Sequence, residues 1–221
     1  MRTVMMLALC VISAASQPFS FGVKAGAPVT DLDYAQYGSY FPFQTVTNRY
    51  LIGPTAEVTL PFGFGVEVDA IYRHFRYTSS GERAGASSTT RTVGNGWEFP
   101  FLAKRRFGKR SFRPYIGAGI AIDWVYGRQT GTETLVTPTL PPVTIITPLD
   151  RSLSADNSVV AGFALGGGLE FGAGVLRFSP EIRYTRWFTP HFIGGGGEFG
   201  ALASQQNQIE VMVGITFRIH E

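Results

Sequence analysis

The stretch Tyr50-Leu-Ile-Gly-Pro-Thr-Ala-Glu-Val-Thr-Leu-Pro-Phe-Gly-Phe-Gly-Val-Glu-Val-Asp-Ala-Ile-Tyr-Arg-His-Phe-Arg-Tyr77 decides the fold. From Gly65 onward, Val66, Val68, Ala70 and Tyr72 fall on one face of an extended chain, and Glu67, Asp69 and Arg73 on the other, because successive strand side chains point to opposite sides. A helix would spread those charges around its circumference; period two gathers them on one side. Before the tight turn Pro61-Phe62-Gly63-Phe64 the scheme repeats, with Ala56, Val58 and Leu60 against Thr55, Glu57 and Thr59. The stretch is a hairpin with one oily face.

The same two-faced strand recurs along the chain. Phe19 to Pro28 sets Phe21, Val23 and Ala25 against Gly22, Lys24 and Gly26, and Gly96 to Phe107 sets Trp97, Phe99, Phe101 and Ala103 against Glu98, Lys104 and Arg106. Phe112 to Gly127 places Ile116, Ile120, Ile122 and Trp124 opposite Tyr115, Gly117, Gly119 and Asp123. Ser158 to Phe171 opposes Phe163, Leu165 and Leu169 to Gly162, Gly166, Gly168 and Glu170. Val175 to Phe188 opposes Phe178, Ile182 and Tyr184 to Arg177, Glu181 and Arg183, and Gln208 to Ile219 opposes Ile209, Val211, Ile215 and Phe217 to Glu210, Gly214 and Arg218.

That makes eight strands, whose connections alternate short and long. Pro61–Phe64, Gly108–Ser111 and Gly172–Gly174 are short; Val29–Arg49, Thr78–Asn95, Arg128–Asn157 and Thr189–Asn207 are long. An up-and-down meander puts all short turns at one end and all long loops at the other. The expectation is an all-β fold: an eight-stranded antiparallel up-and-down transmembrane β-barrel with short periplasmic turns, long extracellular loops and both termini periplasmic.

A soluble ligand-enclosing barrel also shows period two, so the choice turns on which face is inside. With the apolar face inward, Phe99, Phe101, Ile120, Phe163 and Phe178 would crowd a narrow lumen and the glycines would form the wet exterior. Reversed, the glycines make room inside for long charged side chains. The expected lumenal network is Lys24, Arg73, Lys104, Arg106, Arg177, Arg183 and Arg218 against Glu57, Glu67, Asp69, Glu98, Asp123, Glu170, Glu181 and Glu210, nearly balanced as charges withdrawn from water must be. Tyr72, Trp97, Trp124, Tyr126 and Tyr184 toward the loops, with Phe21, Phe107 and Phe171 toward the turns, would form interfacial girdles.

Composition agrees with one strand-rich domain: 221 residues, 44% apolar, 14% aromatic, 16% charged and 27 glycines. A formal charge of +3, scattered over 19 basic and 16 acidic residues, offers no clustered patch for nucleic acid. Arg2, the apolar run Val4–Ile12 and the small residues Ser13 to Ser16 read as a cleaved secretory signal over 1–16, leaving 17–221 as the barrel domain. The single cysteine, Cys10, lies in that signal, so the mature chain offers no disulfide.

Phe21-Gly-Val-Lys-Ala-Gly26, Glu98-Phe-Pro-Phe-Leu-Ala-Lys104, Arg113-Pro-Tyr-Ile-Gly-Ala-Gly119 and Val213-Gly-Ile-Thr-Phe-Arg-Ile219 resemble the bacterial outer-membrane β-barrel family that includes OmpA-like, OmpX-like and small porin-like proteins. The resemblance implies outer-membrane lipid as surroundings and, from Gly214, Phe217 and Ile219, handling by the barrel assembly machinery during insertion.

Catalytic signals are scarce. His74, His191 and His220 are scattered, with no metal-ligand spacing, no catalytic residues and no cofactor motif. The stretch Leu135–Leu149 is β-branched and proline-rich; it reads either as an extended ridge that recruits an extracellular protein by strand addition or as a loop that folds over the barrel mouth or stays mobile. Two functions stand: a structural or surface-interaction protein with a filled lumen, and a narrow porin-like channel for water, ions or very small solutes. Eight strands leave an interior that side chains just fill, which favours the first.

Overall fold

The computed structural model describes residues 19–30, 33–36, 43–45, 50–83, 85–108, 112–137, 139–153, 155–193 and 201–219. The expected signal and His220 lie outside them. The strands are β1 (Phe19–Pro28), β2 (Asp33–Gln36), β3 (Phe43–Thr45), β4 (Leu51–Thr59), β5 (Phe64–Asp69), β6 (Ile71–Arg83), β7 (Ala86–Arg106), β8 (Phe112–Thr137), β9 (Val143–Ser152), β10 (Val159–Ala173), β11 (Leu176–Trp187), β12 (Ala201–Ser204) and β13 (Asn207–Ile219).

Pairing closes the sheet on itself. β1 pairs with β4, β4 with β5 and β6, both of these with β7, and then β7 with β8, β8 with β10, β10 with β11, β11 with β13 and β13 with β1, all antiparallel. β5 and β6 keep one register against β4, with Thr55 opposite Asp69 and Ile52 opposite Tyr72, so they form one stave interrupted at Ala70. The ring among the described residues therefore has eight staves. Closure removes the open edges that an isolated sheet would present, which is the condition for a strand structure to sit in lipid.

The oily faces point out. Phe21, Val23, Ile120, Phe163, Leu165, Phe178 and Ile182 are exposed, while Lys24, Glu98, Asp123 and Arg183 are no more than 1% exposed. Aromatic clusters bound this band. At the turn end Phe19, Phe21 and Phe217 pack together, as do Phe112, Phe171 and Phe178; at the loop end Tyr72 meets Trp97 and Trp124 meets Tyr126. From Trp97 on β7 to Phe107, the residue that follows it, a rise of about 3.3 Å per residue on a strand tilted about 40° gives a band of about 25 Å, the height of a bilayer-spanning barrel wall.

The long connections differ from the sequence expectation. Thr78–Asn95 is not a loop: β6 and β7 run on, Tyr77 opposite Thr92 and Arg83 opposite Ala86, to a turn at Gly85 with φ 79°. In Arg128–Asn157, β8 continues to Thr137 and β9 folds back along it, Arg128 opposite Ser152 and Thr137 opposite Val143. Beyond the lipid, serine, threonine and arginine suit either face of a strand, and every backbone group still finds its cross-strand partner. The staves β6, β7 and β8 thus rise beyond the aromatic girdle as a wall that β9 completes. Elsewhere at this end β3 pairs with β6 and β12 with β2.

Candidate functional site

The interior is built by the inward positions of the staves. Small residues come first: a Cβ placed on Gly214 would stand 3.4 Å from Lys24 Cγ, one on Gly117 3.3 Å from Lys104 Cγ, and one on Gly96 2.9 Å from Arg73 Cγ. Each glycine leaves the width that one long basic side chain occupies.

Those side chains meet carboxylates in three tiers. In the middle tier Lys24 Nζ donates to Glu67 at 2.6 Å, Glu181 at 2.9 Å and Asp69 at 3.1 Å. Arg183 pairs with Asp69 at 2.6 Å and Glu181 at 2.7 Å, Lys104 donates to Glu67, and the Tyr115 hydroxyl donates to Glu181 at 2.8 Å. The turn-end tier joins Arg106 and Arg113 to Glu170, Arg106 to Glu57, and Arg177 to Glu170 at 3.3 Å; Arg218 is half-buried and faces inward. In the loop-end tier Arg73 pairs with Asp123 and approaches Glu98 at 3.7 Å. Gln208 there donates to both Glu98 and Glu210 while accepting from Arg73 at 3.2 Å and Trp187 at 2.9 Å.

All fifteen residues singled out in the sequence thus face the interior, and fourteen of them take part in these bonds. Alternation does not disclose their partners: Arg113, Tyr115 and Gln208 are built into the tiers without having been singled out. Apolar residues also fill the interior, Leu51, Ile71 and Met212 in one cluster and Leu102, Ala121, Val160, Ala164 and Trp187 in another; period two sets Leu102, Ala121, Ala164 and Met212 on the inner face but does not show that they pack together.

One histidine joins the network from a connecting segment. His191 is 1% exposed, its Nε2 2.7 Å from Asp123 Oδ2 and its Nδ1 2.7 Å from the Asn157 carbonyl. Both ring nitrogens face acceptors, which only the doubly protonated ring satisfies with two donors. Burial alone would lower the pKa of His191; the hydrogen bond and charge of Asp123 outweigh it and hold the ring above its ordinary value. Asn157 Nδ2 donates to the Pro190 carbonyl at 2.9 Å, fastening the same segment. The sequence distance of 68 between His191 and Asp123 hid this pair. Among the described residues no group of three or more His, Cys, Asp or Glu is arranged to hold a metal ion.

A closed ring, oily outside and charged inside, defines a transmembrane β-barrel. The sequence matches the model of the outer membrane protein beta-barrel domain over residues 14–192, and the chain belongs to that family. OprG of Pseudomonas aeruginosa superposes with a TM-score of 0.56 at 12% identity, over 93% of this chain and 97% of that one. Outer membrane protein W of E. coli gives 0.43 at 19% identity over 92% and 98%, and Ail of Yersinia pestis 0.47 at 9% identity over 92% and 99%. The likeness to OprG at this identity is one of fold. No curated protein matches the sequence.

Proposed function

We propose that this outer-membrane barrel is a structural and surface-interaction protein, a sealed anchor that carries the β6–β9 wall outside the cell. The observation that carries the reading is the middle tier, where Lys24, Glu67, Asp69, Glu181 and Arg183 meet across the lumen with side chains no more than 4% exposed. A hydrated ion crossing this level would have to displace several ion pairs at once, and leaving a buried charge unpaired costs about 3–5 kcal/mol.

In this reading the turns and both termini lie in the periplasm, residues 1–16 are removed on export, and the barrel assembly machinery inserts the chain. The lumenal network holds the staves together and catalyses nothing, and no cofactor or nucleic acid takes part. The partner on the outside is an extracellular protein or surface that meets the wall. The test is solute release from proteoliposomes loaded with a small sugar: the barrel should retain it as protein-free vesicles do. Release at the rate given by a general porin would replace this reading with that of a channel.

A further inference from the structure

The lipid-facing surface is not uniformly bulky. Between the aromatic girdles most outward positions of β7, β8 and β10 carry Trp, Phe, Ile, Leu or Val, but Ala103 stands directly opposite Ala118, and a groove of about 390 Å³ opens over them, walled by Phe64, Ile116 and Leu165. That volume lies within the roughly 300–1,000 Å³ of small-molecule sites. Its polar rim is Arg105. The guanidinium stacks on Phe64 at 4.4 Å and Nη1 donates to the Phe62 carbonyl, which holds the group at the turn-end edge of the groove with donors to spare. Its neighbour Arg106 turns inward to Glu57 and Glu170; among the described residues no carboxylate lies within ion-pair distance of Arg105.

We infer that this groove binds one membrane phospholipid, an acyl chain lying over Ala103 and Ala118 and the headgroup phosphate on Arg105. The groove opens on the face that meets lipid, so its apolar floor is filled from the bilayer. Lys104, which also lines the groove, turns its amine inward to Glu67, so the one outward-facing charge is Arg105, where that floor ends, two residues nearer the turns than Ala103, as headgroup and chain are spaced in a lipid. A second copy of the chain docked symmetrically would bring another Arg105 to the same rim and no carboxylate to meet it. Arginine offers a planar fork of donors that matches phosphate.

The test is native mass spectrometry of the protein taken from phosphatidylglycerol vesicles into detergent and washed until annular lipid is gone, with diacylglycerol as the headgroup-free probe. The wild type should retain one phosphatidylglycerol. Ala103→Leu/Ala118→Leu, which fills the floor, should lower the lipid-bound fraction about tenfold. Arg105→Gln should do the same for phosphatidylglycerol and leave diacylglycerol unchanged. Val23→Leu, on the far side of the barrel, should change neither. Unboiled gel migration verifies that each variant is folded, and Ala118→Ile alone replaces the double variant if that does not fold. Equal retention in the filled and wild-type proteins, or a loss in Val23→Leu as large as in the filled variant, would show an ordinary lipid annulus and overturn the site; equal phosphatidylglycerol retention in Arg105→Gln would overturn its headgroup half.

Discussion

Lys24 on β1 and Glu181 on β11, 157 positions apart in the chain, meet at 2.9 Å inside the barrel. Lys24 also serves Glu67 and Asp69, so its loss would leave three carboxylates short of a cation. Lys24→Met should destabilise the barrel by about 3–5 kcal/mol, the cost of breaking a buried ion pair from one side. Urea unfolding in lipid vesicles measures it; a change under about 1 kcal/mol would mean that the tier is hydrated and loosely held.

Ile182 is the neighbour of Glu181 on β11 and points the other way, 60% exposed on the outer face. Ile182→Arg places a charge in the hydrocarbon at a cost of about 2–4 kcal/mol at mid-bilayer. The loss should shrink in thin-chain lipid, where the side chain reaches the interface. Glu181→Gln should destabilise the barrel equally in both lipids, because its surroundings are protein. Unfolding titrations in bilayers of two thicknesses separate the two; lipid dependence in Glu181→Gln and none in Ile182→Arg would reverse the faces.

His191 gives the barrel mouth a pH dependence. Burial lowers its folded pKa, and Arg73 on the same carboxylate does too, but the hydrogen bond and charge of Asp123, together with the Asn157 carbonyl, outweigh them and raise it. The contribution is therefore complete below the unfolded value of about 6.5 and is lost as pH rises through the higher folded value. Proteolysis within 189–207 should quicken across that window in the wild type, and His191→Gln should flatten the profile. An unchanged profile in the variant would assign the pH dependence to other groups.

The ring closes below the wall, so the wall should be dispensable for folding. Replacing 129–151 with a short turn removes β9 and the outer part of β8 but none of the pairs between β8 and β10, which run from Val159 opposite Trp124 to Phe171 opposite Phe112. The shortened protein should still migrate anomalously when unboiled. Complete loss of that migration would make the wall part of the folding unit.

Faces were legible in the sequence because one side meets hydrocarbon and the other ion pairs: Phe163 and Leu165 against Ala164 and Glu170 can be assigned without coordinates. Levels were not. Strand order puts Asp123 near the loop end of its strand and His191 in a long connection at that end, but the approach of 2.7 Å depends on how that connecting segment folds over the mouth. The wall was hidden for a related reason. In Thr78–Asn95 both faces meet polar surroundings, so Ser and Thr occupy either side and the apolar alternation that marks a membrane strand disappears.

The central claim is that ion pairs seal the lumen, and planar-bilayer recording on refolded protein tests it most directly. The wild type should be silent or give only small, irregular steps, and Lys24→Ala/Glu181→Ala, which removes the ion pair joining β1 to β11, should raise the conductance. Large, stable, ion-selective openings in the wild type, unchanged in the double variant, would contradict the account.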